Sequence, residues 1–219
     1  MMFCSAVMFT SCRSSIGSVD GHEYVDLALP SGTLWATCNV GAETPEEFGV
    51  HFAWGEILPK SMYDWQTYKY GHDVDKMTKY CSISAFGNEG FVDALNVLQP
   101  SDDAAAVHWG EHWRMPTIEQ WSELLKTDLC TWTWVDESTG RVGFVVTSKK
   151  NGQSIFLPAA GLCRGNGLYN DGDYGYYWSS SLDTNIPNDA WRLDFYSDHM
   201  CENNYGRHFG RSIRPVVAQ

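Results

Sequence analysis

The segment His108-Trp109-Gly110-Glu111-His112 has the His-x-x-Glu-His form in which two imidazoles hold zinc and a glutamate between them serves as base. That chemistry needs both histidines on one face of one helix. Gly110 interrupts the segment and Pro116 follows closely, so solvent-facing histidines are the expected reading and no metal centre is assigned. Asp171, Asp173 and Asp183 are hard oxygen donors of the kind a loop-bound calcium ion takes. Solvated turn acids are the simpler reading, with a structural calcium ion as the alternative, and no other cofactor is expected.

Seven cysteines are present, and none of their spacings makes a zinc pair. The uncharged stretch Met1 to Ser11 carries Phe3, Ala6, Val7, Met8 and Phe9 and runs into Thr10-Ser11-Cys12. It resembles the end of a bacterial lipoprotein signal, which makes Cys12 the expected lipidated residue and residues 1–21 a leader or signal remnant. With Cys4 removed and Cys12 acylated, Cys38, Cys81, Cys130, Cys163 and Cys201 remain, an odd set that leaves at least one thiol free in a monomer.

The densest group of recognition-type side chains lies near the C-terminus. Asn188, Asp189, Trp191, Asp194, Tyr196, Asp198, His199, Asn203, Asn204, Tyr205, Arg207 and His208 are the candidate ligand contacts, with Trp191, Tyr196 and Tyr205 as anchors. Tyr and Trp bring large contact area at small entropic cost, while Asn and Asp supply adaptable hydrogen bonds. No Lys occurs after Lys150, in keeping with the depletion of Lys from binding patches. The bland alternative is that Asn and Asp make turns here and the aromatics fill a β core. A formal net charge of -12 repels phosphate backbones and anionic surfaces, so no nucleic-acid partner is expected, and a membrane only through a lipid anchor.

These side chains need a scaffold, and the rest of the chain supplies one. Aromatics make up 14% and charged residues 19% of the chain, which provides ample apolar surface for a core and excludes disorder. Val25, Leu27 and Leu29 alternate at period two, and Pro30-Ser31-Gly32 turns the chain into Thr33–Val40, predicting a hairpin. Pro45 to Phe48 reads as one helical turn, and Pro59 to Pro100 as a long excursion over the surface. Ser101-Asp102-Asp103 caps a helix through the alanines that follow. Thr117-Ile118-Glu119-Gln120 is a capping box that opens a second helix, with Ile118, Trp121, Leu124 and Leu125 on its core face.

The second half reads as antiparallel strands: Trp132 to Trp134, Arg141–Thr147, a type I′ turn at Asn151-Gly152, and Ser154–Leu157. A loop from Gly161 to Gly175 follows, then strands at Tyr176–Trp178 and Ala190–Phe195 separated by polar loops, and a terminal strand at Ser212–Val216. The class is α+β, in one domain over residues 22–219.

Several motifs together resemble a known family: Tyr24-Val25-Asp26-Leu27, Leu29-Pro30-Ser31-Gly32-Thr33-Leu34-Trp35-Ala36-Thr37-Cys38-Asn39-Val40-Gly41-Ala42, Phe52-Ala53-Trp54-Gly55-Glu56, Asp102-Asp103-Ala104-Ala105, Trp113-Arg114-Met115-Pro116-Thr117, Ile155-Phe156-Leu157-Pro158-Ala159-Ala160-Gly161, Tyr176-Tyr177-Trp178-Ser179-Ser180-Ser181 and Arg214-Pro215-Val216. In order, from residue 23 to 217, they are similar to the Fibrobacter succinogenes major paralogous domain family of bacterial surface proteins. The resemblance implies a C-type-lectin-like fold of the formylglycine-generating-enzyme-like subgroup, with two helices, antiparallel sheets and long irregular loops. It also implies that Trp35, Trp54, Trp113, Trp121 and Trp178, which sit in fixed motifs or on the helix face, belong to the core.

The ending Gly210-Arg211-Ser212-Ile213-Arg214-Pro215-Val216 resembles that of the variable proteins of diversity-generating retroelements. In those proteins adenine-containing codons favour Asn, Asp, Tyr, Ser and His just before the ending, as found here. The expected function is therefore non-catalytic: a surface-displayed protein, lipid-anchored or secreted at a bacterial cell envelope, that binds a protein or glycan on another cell or phage host. The alternatives are an envelope lipoprotein without a dedicated ligand and an enzyme of the formylglycine-generating type. The latter works through a cysteine pair that has no identifiable counterpart here. Calcium-dependent sugar binding by this fold class uses Glu-Pro-Asn or Gln-Pro-Asp, which Gln99-Pro100-Ser101 and Ile186-Pro187-Asn188-Asp189 approach without matching.

Overall fold

The computed structural model describes residues 15–218, so the expected lipidation site Cys12 lies outside the described residues. In chain order the elements are β1 (Ile16–Val19), β2 (His22–Asp26), β3 (Leu34–Ala36), α1 (Ala104–Trp109), β4 (Trp113–Arg114), α2 (Ile118–Leu125), β5 (Cys130–Val135), β6 (Gly143–Ser148) and β7 (Ser154–Pro158). There follow β8 (Ala160–Arg164), β9 (Gly167–Asp171), β10 (Tyr174–Leu182), β11 (Asp189–Tyr196), β12 (His199–Gly206) and β13 (Val216–Val217). The architecture is α+β and mostly sheet, with two α-helices among the described residues.

One sheet has the order β1-β2-β3-β13-β4, which draws both ends of the described chain together: Val216 pairs with Trp35 on one side and Arg114 on the other. Strand β1 lies within the stretch read as leader and pairs with β2 from Ile16↔Val25 to Val19↔His22. A second sheet runs β12-β11-β10-β8-β9, antiparallel except for the parallel β8–β10 contact at Gly175↔Gly161. The third, β5-β6-β7, is antiparallel.

The two helices form for the local reasons their sequences give. Asp103 accepts the free N–H groups of Ala105 (2.9 Å) and Ala106 (3.3 Å), and α1 ends at Gly110, whose φ of 101° is costly for any residue with a side chain. At the start of α2 the Thr117 N–H donates to Gln120 Oε1 at 2.9 Å, one half of the expected capping box. Trp121 and Leu124 on that helix are fully buried, and Trp121 packs 4.7 Å from Trp35. Trp35, Trp54, Trp113, Trp121 and Trp178 are all at most 1% exposed, which makes them core residues. Four of their indole N–H groups find backbone carbonyls, Trp54 at Ser179 (2.8 Å), Trp178 at Phe52 (2.9 Å), Trp113 at Val19 (3.1 Å) and Trp121 at Trp178 (3.3 Å), as buried indoles generally do.

Five expectations need correction. Pro45–Phe48 makes a turn rather than a helical turn. The β6–β7 connection is not a type I′ turn, because only Gly152 (φ 73°) has positive φ and Asn151 does not; the loop is closed by Ser148 N–H on Gln153 O at 2.8 Å. The supposed loop from Gly161 to Gly175 contains the β8–β9 hairpin, paired from Ala160↔Asp171 to Arg164↔Gly167. The supposed polar loop after Phe195 is strand β12, paired with β11 from Tyr196↔His199 to Asp189↔Gly206. Finally, Pro59–Pro100 is no surface excursion: Tyr63, Tyr68, Tyr70, Met77, Tyr80, Cys81 and Leu98 are buried. Their hydroxyls are satisfied inside the protein, Tyr68 by Trp54 O (2.8 Å) and both Tyr70 and Tyr80 by the Asp102 carboxylate, the latter at 2.7 Å.

Candidate ligand-binding face

Because side chains alternate across a strand, the register of β10, β11 and β12 sorts their residues into two faces. Tyr177, Leu193 and Phe195 point inward and are fully buried in one core cluster with Trp121 and Leu124 of α2. The other, outward face carries Tyr174↔Tyr196, Tyr176↔Asp194, Asp194↔Cys201, Arg192↔Asn203 and Ala190↔Tyr205 as cross-strand neighbours, with its Trp178 and Ala190 covered by the other core cluster. At one end lies an aromatic ladder: Tyr174 stacks with Tyr176 (5.8 Å between ring centres) and meets Tyr196 (5.2 Å), which in turn meets His199 (5.2 Å).

In the middle of this face Arg192 donates through Nε and Nη2 to the two Asp194 oxygens, and Asn203 Nδ2 adds a bond to Asp194 at 3.1 Å. Beyond it opens a cavity of about 380 Å³. The hairpin β8–β9 contributes Leu162, Arg164, Tyr169 and Asn170; the remaining walls are Tyr176, Arg192, Tyr205, Phe209 and Arg211. Arg211 is 1% exposed and lies 4.2 Å over the Trp178 ring, with Phe209 (5.4 Å), Tyr205 (5.7 Å) and Tyr176 (5.8 Å) around it. These ring faces are attractive to a cation. Yet its Nε and Nη1 have no hydrogen-bond partner among the described residues, nor does Nη1 of Arg192. Burial, and then the charge of Arg192, push Arg211 well below its ordinary value.

The pleat divides the twelve expected contact residues. Asp194, Tyr196, His199, Asn203 and Tyr205 lie on the outward face, with Asp198 exposed at the β11–β12 turn. Trp191 and Asn204 pair with each other on the reverse face, so Trp191 cannot act as an anchor beside Tyr196 and Tyr205; Asn204 instead donates to the buried Asp183. Asn188 and Asp189 are half-buried where β11 begins, and the Asn188 carbonyl accepts the Arg207 N–H at 3.1 Å. Arg207 is a correction: it is fully buried, 5.2 Å from the Trp54 ring, and donates to the carbonyls of Tyr80 (2.8 Å) and Lys79 (3.2 Å). His208 packs against Phe209 (4.1 Å) and Trp65 (4.4 Å), and burial followed by the charges of Arg211 and Lys60 pushes it down to about 4, so it is neutral at pH 7.

The residues that sequence reasoning missed are Arg192, Arg211, Tyr176, Tyr169 and Arg164. Only Arg192 left a signal, standing two residues before Asp194 and hence on the same face of one strand.

The other candidate chemistries are not assembled. His108 bonds the Ile57 carbonyl (2.8 Å) while His112 bonds Asp20 (2.9 Å), and no group of His, Cys, Asp or Glu among the described residues is arranged to hold a metal. The three carboxylates named for calcium are not brought together: Asp171 and Asp173 precede β10, whereas Asp183 follows its far end and accepts the N–H groups of Asn185 (2.9 Å) and Ile186 (3.3 Å). Cys38, Cys81, Cys130, Cys163 and Cys201 are free thiols, and burial pushes Cys81, Cys163, Cys201 and Cys130 up, the last to about 11, which disfavours the reactive thiolate in each. No helix among the described residues is long and apolar enough to cross a membrane.

The model of a domain of unknown function, DUF8237, matches residues 142–216. That is about a third of the 219-residue chain, and it contains every residue lining the cavity. No curated protein and no solved structure matches the chain.

Proposed function

We propose that this protein is a non-catalytic recognition protein of C-type-lectin-like fold, displayed at a bacterial surface through a lipid on Cys12, whose ligand is carried by another cell or phage host. The observation that carries this reading is the outward face of β10–β12. It places exposed Tyr196 and Tyr205 and polar Asn203 on a sheet whose other side is anchored in the core by Tyr177, Leu193 and Phe195. A rigid scaffold under an aromatic and polar face is what recognition surfaces use. The resemblance to the Fibrobacter succinogenes major paralogous domain family, and of the ending Gly210–Val216 to retroelement-diversified proteins, supports the same reading. On it, side chains of the outward face vary between copies while the inward ones stay fixed.

The test is the quadruple variant Tyr196→Ala, Asp198→Ala, Asn203→Ala and Tyr205→Ala. Exposed substitutions usually move stability by less than about 0.5 kcal/mol each, so its melting temperature should stay close to wild type. Binding to intact host cells should be lost, since truncation of an aromatic anchor commonly costs about 2 kcal/mol or more. A folded variant that binds cells as wild type does would remove this face from recognition.

A further inference from the structure

We infer that the cavity floored by Arg192 and Arg211 receives the carboxylate of an acidic saccharide residue, with the aromatic rim holding the sugar ring. The inference rests on the recognition reading above and names its ligand class.

The charges around the cavity do not balance. Arg192 is 5% and Arg211 1% exposed, and among the described residues only Arg192 of the two has an ion pair, with Asp194. Arg164 adds a third guanidinium at the exposed rim. Three guanidinium groups thus stand against two carboxylates, Asp194, which is paired with Arg192, and Asp189, whose charge acts on both Arg192 and Arg211. A buried charge without a counter-charge is strongly unfavourable, and the N–H groups left without acceptors add to that cost. The rest of the chain is acidic, at a formal -12, so this local excess of positive charge runs against the composition of the whole protein. An anion entering the cavity offsets the repulsion between Arg192 and Arg211 and supplies acceptors for their unbonded N–H groups.

Size and lining narrow the anion. A volume of about 380 Å³ is at the small end of ligand pockets, which run from about 300 to 1,000 Å³. Tyr169 and Tyr205 at the rim are 51% and 52% exposed and present free ring surface, on which the C–H face of a pyranose stacks. Asn170 and the tyrosine hydroxyls provide partners for sugar hydroxyls. Tyr205 lies 5.1 Å from the Arg192 guanidinium and 5.7 Å from that of Arg211, so it is an exposed ring that adjoins both. A polyanionic protein partner would meet the repulsion of the whole chain, whereas a single charged sugar meets mainly the cavity.

The experiment titrates the full chain with sodium D-glucuronate, N-acetylneuraminate, D-glucose and N-acetylglutamate amide, reading calorimetric heat and melting temperature. At least one acidic sugar should bind and raise the melting temperature, and glucose should not. Tyr205→Ala and Arg164→Ala, both at exposed positions, should each weaken that binding by about tenfold or more. Arg211→Met should abolish it while the protein stays folded, because Met keeps the apolar contact with the Trp178 and Phe209 rings and leaves no charge to bury. Failure of every acidic sugar, or equal binding of glucose, would overturn the inference. Tighter binding of the glutamate derivative would replace it with an acidic peptide. These outcomes separate from those of the recognition reading: cell binding lost in the quadruple variant but not competed by acidic sugars sinks the saccharide alone. Sugar binding with cell binding intact in that variant sinks the recognition face alone.

Discussion

Asp102 and Asp103 are adjacent in sequence, yet their carboxyl groups are held on opposite sides of the ordinary aspartate value of 3.8. Burial pushes both up. At Asp102 it is outweighed by Lys79 (2.5 Å) and by the hydroxyls of Tyr70 and Tyr80, and the group settles at about 2. At Asp103 the opposing groups are the backbone N–H donors of Met115 (2.8 Å), Ala106 and Ala105 and the charge of Arg114, and burial prevails at about 6.

The two shifts oppose each other in pH. Asp102 has a folded value below its unfolded one, so its stabilisation is present above about pH 4 and is lost as pH falls toward 2. Asp103 has a raised folded value, so its native state holds the proton between about pH 4 and 6 and stability falls as pH rises through that window. Asp103→Asn keeps an acceptor oxygen for α1 and should flatten the stability slope between pH 4 and 6. Carboxyl NMR should find the Asp103 midpoint near 6; a midpoint below 4 would refute the assignment.

Trp121 joins α2 to two sheets, by packing on Trp35 of β3 and donating to the Trp178 carbonyl of β10. Trp121→Ala should destabilise by about 3–5 kcal/mol in urea unfolding, as aromatic truncations in cores do. A loss below about 1 kcal/mol would show that the site is not packed as described.

Gly175 stands opposite Phe195 in the β10–β11 register, and a methyl group there would run into the Phe195 ring. Gly175→Ala should cost about 1–3 kcal/mol by overpacking. Adding Phe195→Leu should make the pair less costly than the sum of the two single changes, because the residues touch. Strict additivity in that cycle would mean that the ring does not cover Gly175.

What could be read locally was legible without coordinates. Asp103, Thr117 and Gln120 cap their helices through partners two to three residues away, and the same short-range logic put Trp121 and Leu124 on the buried face. The hairpin from β2 to β3 declared itself by period-two apolar residues flanking a Pro-Ser-Gly turn. Strands β9 and β12 did not, since alternation is visible only where one face is buried: Gly167–Asp171 has no buried residue, and within His199–Gly206 only Gly206 is buried. Both lie at the edges of their sheet, where pairing with a neighbour rather than their own composition makes them strands.

The amino-acid sequence by itself thus determined the α+β class, both helices, the tryptophan core and the recognition-type composition of residues 188–208. Tertiary structure alone decided which of those residues share a face, because a one-residue shift in register exchanges the two sides of a strand. It alone buried Arg207 beside Trp54 and turned the tyrosines of Pro59–Pro100 inward, since Tyr and Arg are at home either inside or outside according to whether their polar ends find partners. It alone set Arg211 near Arg192 of β11, where both line the cavity with N–H groups left unbonded.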